Sequence, residues 1–284
     1  MAASRPSLTE LRAALPDLAA EAKSRSVEFE AQRRLAPDFV DRLKQAGLMK
    51  VLVPADVGGY GASLTEGLDV LMTLAEADAS TGWVCAHGNI CAALIHGSAE
   101  PGLCDEFFAD PAAYASWSSL PRVQVVEQSD GLRISGSWGF ESGCTGATFV
   151  GGVVILPPVA EGAEPRIVVA LAPFNEARIE DTWDPIGLAG TGTAIWACGL
   201  RGESATAALR LDARVAGVTA VQHGAEIVRQ AYDACGASAL RRSGALQRLL
   251  RDASCLTHHV SSNLASYELT GRVRCDIDEL SFRI

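Results

Sequence analysis

The chain has 284 residues, 48% of them hydrophobic, and a formal net charge of −10. That length suits two or three domains of roughly 100–150 residues each, with a large apolar core. The acidic balance, with no basic cluster beyond the pairs Arg33-Arg34 and Arg241-Arg242, argues against nucleic acid and anionic membrane as partners. Met1 to Leu8 is polar and no apolar run approaches the ~18 residues of a membrane span, so a cytoplasmic protein is expected. The eight cysteines are scattered without C-x-x-C or zinc-ligand spacing, and read as reduced, mostly buried thiols.

Residues 8 to about 112 read as helices. Leu8 to Arg34 is amphipathic, with an interruption or restart expected at Pro16. Pro37 to Ala46 forms a second helix closed by Gly47, and Leu48 to Pro54 a short extended piece. Gly58-Gly59-Tyr60-Gly61 is a loop that lacks the spacing of a phosphate cradle, and Ser63 N-caps a helix to about Asp78. A further helix, Thr81 to about His96, is apolar nearly all round and is expected at the centre of its domain. It carries Trp83, His87, Asn89 and His96, polar groups that need partners.

From about 113 to 202 the pattern changes to period two. Strands are expected over 114–117, 122–128, 132–140, 148–156, 166–173, 177–183 and 193–200, separated by signals such as Asp130-Gly131 and Pro157-Pro158. Such short strands form a small β-sandwich or barrel. Helix returns from 203 to about 272, with one long stretch over Ala205–Ala234, a break at Gly236, and a last helix from Gln247 to about Tyr267. In that last helix Leu249, Ala253, Leu256 and Val260 stack into an apolar stripe. Arg248, Asp252 and His259 fall on one flank of the stripe, while His258 points to water. A half-buried imidazole at such a border can meet a ligand while a neighbour fixes its tautomer. The alternative is a histidine that simply satisfies its Arg and Asp neighbours.

Three stretches carry a resemblance. Cys235-Gly236-Ala237, Leu246-Gln247-Arg248 and Arg251-Asp252 resemble the "GG, then QR, then RD" segment of the acyl-CoA dehydrogenase superfamily. Ile134 to Cys144 resembles its "SGxWxFxSGC" strand and turn, and Asp181 to Thr193 its "TWDxxGxxGTGS" element. The dehydrogenase branch carries a Glu base nine residues after the Arg-Asp pair, where this chain has Ser261. The flavin-dependent monooxygenase branch carries a His at seven, where this chain has His259. Glu268, in Tyr267-Glu268-Leu269-Thr270-Gly271, comes about two helical turns too late to be that base.

The resemblance implies an α+β fold. An N-terminal helical domain (1–112) would be followed by a middle β-sandwich or barrel (113–202) and a C-terminal helical bundle (203–284). That bundle is shortened, because the usual exit strand and two long helices have no counterpart after Thr193. It further implies the oxygenase component of a two-component monooxygenase. Such a component takes reduced FMN or FAD from a separate flavin reductase and hydroxylates a small substrate, in this family typically aromatic, with O2 through a flavin C4a-hydroperoxide. The chain shows no nicotinamide-binding fingerprint of its own. Trp117, Ser118, Ser119, Phe140, Ser142, Gly143, Trp183, Gly236 and Arg248 would bind the flavin, with hydroxyl or amide donors at its N5 edge. Ser142 would support the oxygenated flavin, His259 would act as base, and Trp83 and His87 would contact substrate. For His87 the ordinary alternative is a core histidine bonded to a backbone carbonyl. Apolar faces left uncovered in the short bundle predict a homo-oligomer, dimer or tetramer, or recruitment of a partner chain. Two other functions stay open: a non-catalytic shortened paralogue that supports a full-length relative, and an acyl-CoA dehydrogenase.

Overall fold

The computed structural model describes residues 7–118, 121–128, 131–156, 158, 165–197, 210–241, 244–259 and 262–274. The chain divides into two compact units. The first comprises Met1–Asp184 with Ala189–Ser204, and the second Pro185–Leu188 with Ala205–Ile284.

The first unit begins with five helices. Helix α1 (Leu8–Gln32) opens on a capping box in which Ser7 and Glu10 satisfy each other's backbone N–H groups. It runs unbroken through Pro16, contrary to the expected interruption. Proline removes one backbone donor, but Leu11, Leu15, Leu18, Ala22 and Phe29 bury one face on either side of it and hold the helix together. Helix α2 (Pro37–Gln45) ends before Gly47, whose φ of +71° turns the chain. Helix α3 (Leu64–Ala77) is capped by Ser63 through a second capping box. Helices α4 (Ala79–Ser98) and α5 (Pro101–Ala109) follow.

Leu48–Pro54 does not extend as a strand; it coils in turns against α4. Among the described residues the segment joins no strand; its backbone bonds to its own turns and to residues 60–62, and the Asn89 side chain of α4 adds two more. Asn89 Nδ2 donates to the Leu48 carbonyl at 2.6 Å, and the Leu52 N–H donates to Asn89 Oδ1 at 3.0 Å. Asn89, one of the polar groups in need of a partner, is thereby consumed in the fold. Nor is α4 buried all round: Val84, Cys85, Cys91, Ala92 and Ile95 face inward, while Ile90 and Leu94 are exposed.

The β region holds two sheets. Strands β1 (Ala115–Ser118), β4 (Phe149–Leu156) and β5 (Arg166–Pro173) form one, with β1 parallel and β5 antiparallel to β4. Strands β2 (Pro121–Gln128), β3 (Gly131–Glu141), β7 (Ala194–Ala197) and β6 (Arg178–Glu180) form the other, antiparallel throughout. The strand expected over 177–183 shortens to three residues. Beyond it, Arg33 and Arg34 take Asp181 in ion pairs and Arg33 donates to the Trp183 carbonyl, which draws this segment out of the ladder. The expected strand over 193–200 is seen as β7, and 198–200 lie outside the described residues. Trp138 of β3 is fully buried and its indole N–H donates to the Val153 carbonyl of β4 at 2.8 Å, which ties the two sheets face to face.

The second unit is helical. Helix α6 (Arg210–Ala234) pairs with α7 (Ala245–His258) and α8 (Ala265–Arg274). The start of the expected 205–234 helix and the chain between β7 and α6, where the exit strand would lie, fall outside the described residues. The single helix expected from Gln247 to Tyr267 is instead two, because α7 stops at His258. The Leu256 carbonyl is taken by the His259 N–H and the Ser262 hydroxyl, a local alternative that serine offers to helix continuation. Six described cysteines are free; Cys85, Cys91 and Cys144 are buried, and burial pushes the Cys85 thiol up to about 12. No described helix is long and apolar enough to cross a membrane.

The inter-sheet bond makes Gly152 indispensable, since a Cβ there would lie 2.1 Å from the Trp138 ring. Gly152→Ala should lower the unfolding free energy by about 1–3 kcal/mol through overpacking, measured by urea denaturation. A variant as stable as the parent would show that the sheets do not pack through Trp138.

Candidate functional site

The register of β3 against β7 shifts between Trp138 and Glu141, a bulge that adds local twist. Within it Phe140 takes a left-handed φ of +63°, uncommon for a residue with a side chain, and is 68% exposed. Its ring meets Trp183 edge to face at 6.3 Å. Trp183 is itself held through its carbonyl by Arg33 at the end of α1. The bulge thus presents two aromatic rings as an apolar corner.

Immediately after the bulge lies Ser142. Its hydroxyl accepts from the Trp83 indole N–H at 3.0 Å and meets the Thr193 hydroxyl at 3.1 Å, which meets the Thr191 hydroxyl at 2.9 Å. The Ser142 carbonyl accepts from the Ser116 hydroxyl at 2.8 Å and from Tyr114 at 3.4 Å. Helix α4, strand β1 and the 189–193 turn therefore all fix one serine. Gly143 follows with φ of +76° and leaves no room for a side chain, since a Cβ would lie 2.0 Å from the Tyr114 hydroxyl.

Several expected donors are already committed. The Gly143 N–H, expected at a ligand edge, donates to the Thr191 carbonyl at 2.7 Å, because the tight turn brings that carbonyl in first. The Ser118 hydroxyl donates to the Gly139 carbonyl. Trp117 is half-buried in β1, and Ser119 lies outside the described residues. His87 sits one turn after Trp83 on α4, half-buried, with Nε2 shielded from solvent.

Behind Ser142 lies Glu141, fully buried, with neither carboxyl oxygen in a hydrogen bond. Burial pushes its pKa well above the usual carboxylate range, so the carboxyl holds its proton more tightly than a free one. The Gly151 N–H and the Ser116 hydroxyl lie near enough to oppose that shift without reaching hydrogen-bond geometry. Glu141, Thr191 and Thr193 were not singled out in the sequence. The Thr191-Gly192-Thr193 turn was legible as a motif, but nothing in it announces that the Thr193 hydroxyl meets Ser142 and the Thr191 hydroxyl meets Thr193.

In the second unit Asp252 of α7 is buried and one of its oxygens accepts from the Leu188 N–H at 2.7 Å. Arg251 donates to the Ile186 carbonyl at 2.6 Å. Gly187 allows this close approach, since a Cβ there would meet the Arg251 carbonyl at 2.5 Å. His259 does not share a helical flank with Arg248 and Asp252 as expected. It caps α7 with ψ of 143°, outside the helix, and is half-buried. His258 is exposed, as expected, with Nδ1 2.9 Å from the Ser254 carbonyl. Arg248 is half-buried on α7, and Gly236 is exposed with φ of +56° after α6.

A helical segment, a two-sheet β region and a helical second unit define the architecture of the acyl-CoA dehydrogenases. Residues 6–109 match the acyl-CoA dehydrogenase N-terminal domain and residues 185–264 the C-terminal domain. The chain belongs to the acyl-CoA dehydrogenase superfamily, with a shorter C-terminal helical region. It is 34% identical over 167 residues to an indole-3-acetate monooxygenase of Acinetobacter baumannii, a match covering 58% of this chain and 42% of that protein. It is 34% identical over 170 residues to the oxygenase component of an FADH2-dependent resorcinol hydroxylase of a Rhizobium species, covering 60% and 41%. The matched part thus spans about two fifths of these relatives' length. In fold it is similar to TdsC of Paenibacillus, whose structure holds FMN and indole, with a TM-score of 0.79, 16% identity and coverage of 97% and 100%.

Glu141 yields a pH dependence. With its pKa raised by folding, it stays protonated over a window in which the unfolded chain is already ionised. The native state holds the extra proton there, so stability falls as pH rises above the ordinary carboxylate range. Glu141→Gln, neutral at every pH, should flatten that fall and raise stability at neutral pH. Urea unfolding on both sides of neutrality checks it; an unchanged slope would refute a buried neutral acid.

Proposed function

We propose that the chain is the oxygenase component of a two-component flavin-dependent monooxygenase that hydroxylates a small aromatic substrate. The observation that carries this reading is the Ser142 hydroxyl, fixed by the Trp83 indole and placed just after the bulge that turns Phe140 outward against Trp183. A flavin ring needs an apolar wall with a hydrogen-bonding group at one edge, and these residues fit that need. The relatives' names support it: a monooxygenase acting on indole-3-acetate and an FADH2-dependent hydroxylase acting on resorcinol.

When bound, reduced FMN or FAD supplies two electrons to O2, so that one oxygen atom enters the substrate and the other leaves as water. The chain's residues hold and shield. Phe140 and Trp183, together with Trp117, would provide the apolar wall for the ring, and the Ser142 hydroxyl would be the hydrogen-bonding group for its N5 edge. Ser118, Ser119 and Gly143 would line the cofactor on the first unit, and Gly236 and Arg248 are the second unit's motif residues for the cofactor. His259 takes the proton from a phenol-type substrate, a role suited to an imidazole, and His87 with the Trp83 ring borders the substrate. A separate flavin reductase delivers the cofactor. The three-domain division at 112 and 202 belongs to the same reading.

A second reading keeps one observation in its favour. In the second unit the described buried hydrophobics are Leu188, Val218 and Ala239, while Ile227, Leu249 and Leu264 are exposed. Such faces suit assembly with another copy or with a full-length relative.

Anaerobic titration with reduced FMN and reduced FAD, followed by an oxygen pulse, separates these. Tight binding of one reduced flavin is expected, with Ser142→Ala weakening it about fivefold through loss of one hydrogen bond. His259→Ala should leave flavin binding intact and lower hydroxylation by about 10²–10⁴-fold. If no flavin binds and a homologue co-purifies, the enzyme reading is lost in favour of the structural partner.

A further inference from the structure

Trp83, Ser142, Thr193 and Thr191 form one continuous row of polar atoms, at spacings of 3.0, 3.1 and 2.9 Å. The row runs outward from the interior: Thr191 and Thr193 are 2% and 3% exposed, and Ser142 is 9% exposed. Proton accounting along it is restrictive. An indole N–H only donates, whereas each hydroxyl has one proton to give and two lone pairs to accept with. Trp83 therefore occupies one lone pair of Ser142 at all times. One proton and one lone pair remain, to be divided between Thr193 and whatever approaches Ser142 from outside.

Two arrangements satisfy Ser142 and Thr193. In the first, Ser142 donates inward to Thr193, Thr193 donates to Thr191, and Ser142 offers its remaining lone pair outward. In the second, Thr191 donates to Thr193, Thr193 donates to Ser142, and the Ser142 proton points outward. The two differ only by rotation about C–O bonds; no covalent bond forms or breaks and no proton changes owner. A flavin poses this choice at its N5 edge, because oxidised N5 accepts a hydrogen bond and reduced N5–H donates one.

We infer that Thr191, Thr193 and Ser142 act as a reversible hydroxyl relay that matches Ser142 to the oxidation state of the flavin. In it Thr193 and Thr191 serve as positioning residues and Trp83 as the fixed anchor. The inference rests on the flavin reading above. It explains why three hydroxyls are buried in a row where one would suffice as a donor, and it gives the Trp83 indole N–H a role on the protein side. A buried hydroxyl left without a partner is costly, so the relay keeps each state satisfied.

The test is the ratio of dissociation constants for oxidised and reduced flavin, from anaerobic titration of the full chain with FMN and FAD. Thr193→Val keeps the shape and removes the inward acceptor, which forces the Ser142 proton outward. The ratio should shift toward the oxidised flavin by about fivefold, the worth of one hydrogen bond. Thr191→Val should shift it in the same direction, because the Thr193 proton then turns to Ser142, although Thr191 would not touch the flavin. Thr193→Ser, which retains the hydroxyl, should keep the parent ratio. Circular dichroism and thermal midpoints establish folding, and Thr191→Val carries the test if Thr193→Val does not fold. An unchanged ratio in a folded variant, or equal weakening of both oxidation states, overturns the relay and leaves flavin binding standing. Failure of the unaltered chain to bind either flavin overturns both.

Discussion

The first unit depends on the way one tryptophan crosses between two sheets. Trp138 leaves β3, enters the space over Gly152 and bonds the Val153 carbonyl, so one buried side chain ties the two sheets together. A buried indole needs both a large apolar bed and one acceptor, and this position supplies both. Once Trp138 is fixed inward, the strand cannot continue in plain alternation past it, because β7 is paired with a shift between Trp138 and Glu141. The bulge absorbs that shift. Phe140 goes out, Glu141 goes in, and Ser142 arrives where α4, β1 and the 189–193 turn converge.

Hydrogen-bond demand then selects which polar groups remain open to a ligand. Around this turn most donors are spent inside the fold: Ser116 on the Ser142 carbonyl, Ser118 on the Gly139 carbonyl, the Gly143 N–H on the Thr191 carbonyl. Buried polar groups cost free energy unless paired, so a strained turn recruits whatever hydroxyls stand nearby. Ser142 is different. It receives from Trp83 and keeps a proton and a lone pair that its neighbours can take or leave. Three serines look alike in the sequence, and only their partners separate the structural two from the open one.

Much of the fold was legible, for reasons specific to each element. The capping boxes Ser7–Glu10 and Ser63–Glu66 mark helix starts by chemistry that local sequence encodes, and the structure has both. The period-two strands from 122 to 173 carry their own pattern. Local sequence was silent where a distant group intervened. Asn89 of α4 and the backbone of residues 60–62 hold Leu48–Pro54 in turns, the Arg33-Arg34 pair pulled Asp181 out of a strand, and Ser262 ended a helix whose apolar stripe ran on. The family motifs pointed to Ser142 and Phe140 without revealing the Thr191–Thr193 row or the inward Glu141, because pairing across some 50 residues is not a local property.

The Arg251-Asp252 pair shows how a motif's charge can serve the backbone. In sequence it reads as the family's Arg-Asp motif, with Asp252 on the same flank as Arg248 and His259. In the structure both side chains reach peptide groups of 186–188: Asp252 takes the Leu188 N–H and Arg251 gives to the Ile186 carbonyl, over a glycine that permits the approach. A charged partner makes each such bond stronger than a neutral one, which suits a clamp on irregular chain. Leu188 is held there at φ of +54°, a conformation that a leucine keeps only when its surroundings over-determine it. This explains why Pro185–Leu188 belongs to the second unit although β-region sequence lies on both sides of it. The orientation of His259 follows from a different source, the abrupt end of α7, where its own N–H returns to Leu256 and its carbonyl accepts from Ser262 and Asn263. A histidine on a helix end fixed by backbone bonds at both its N–H and its C=O is anchored as firmly as one on a helix face. It is also released from the helix's own side-chain direction.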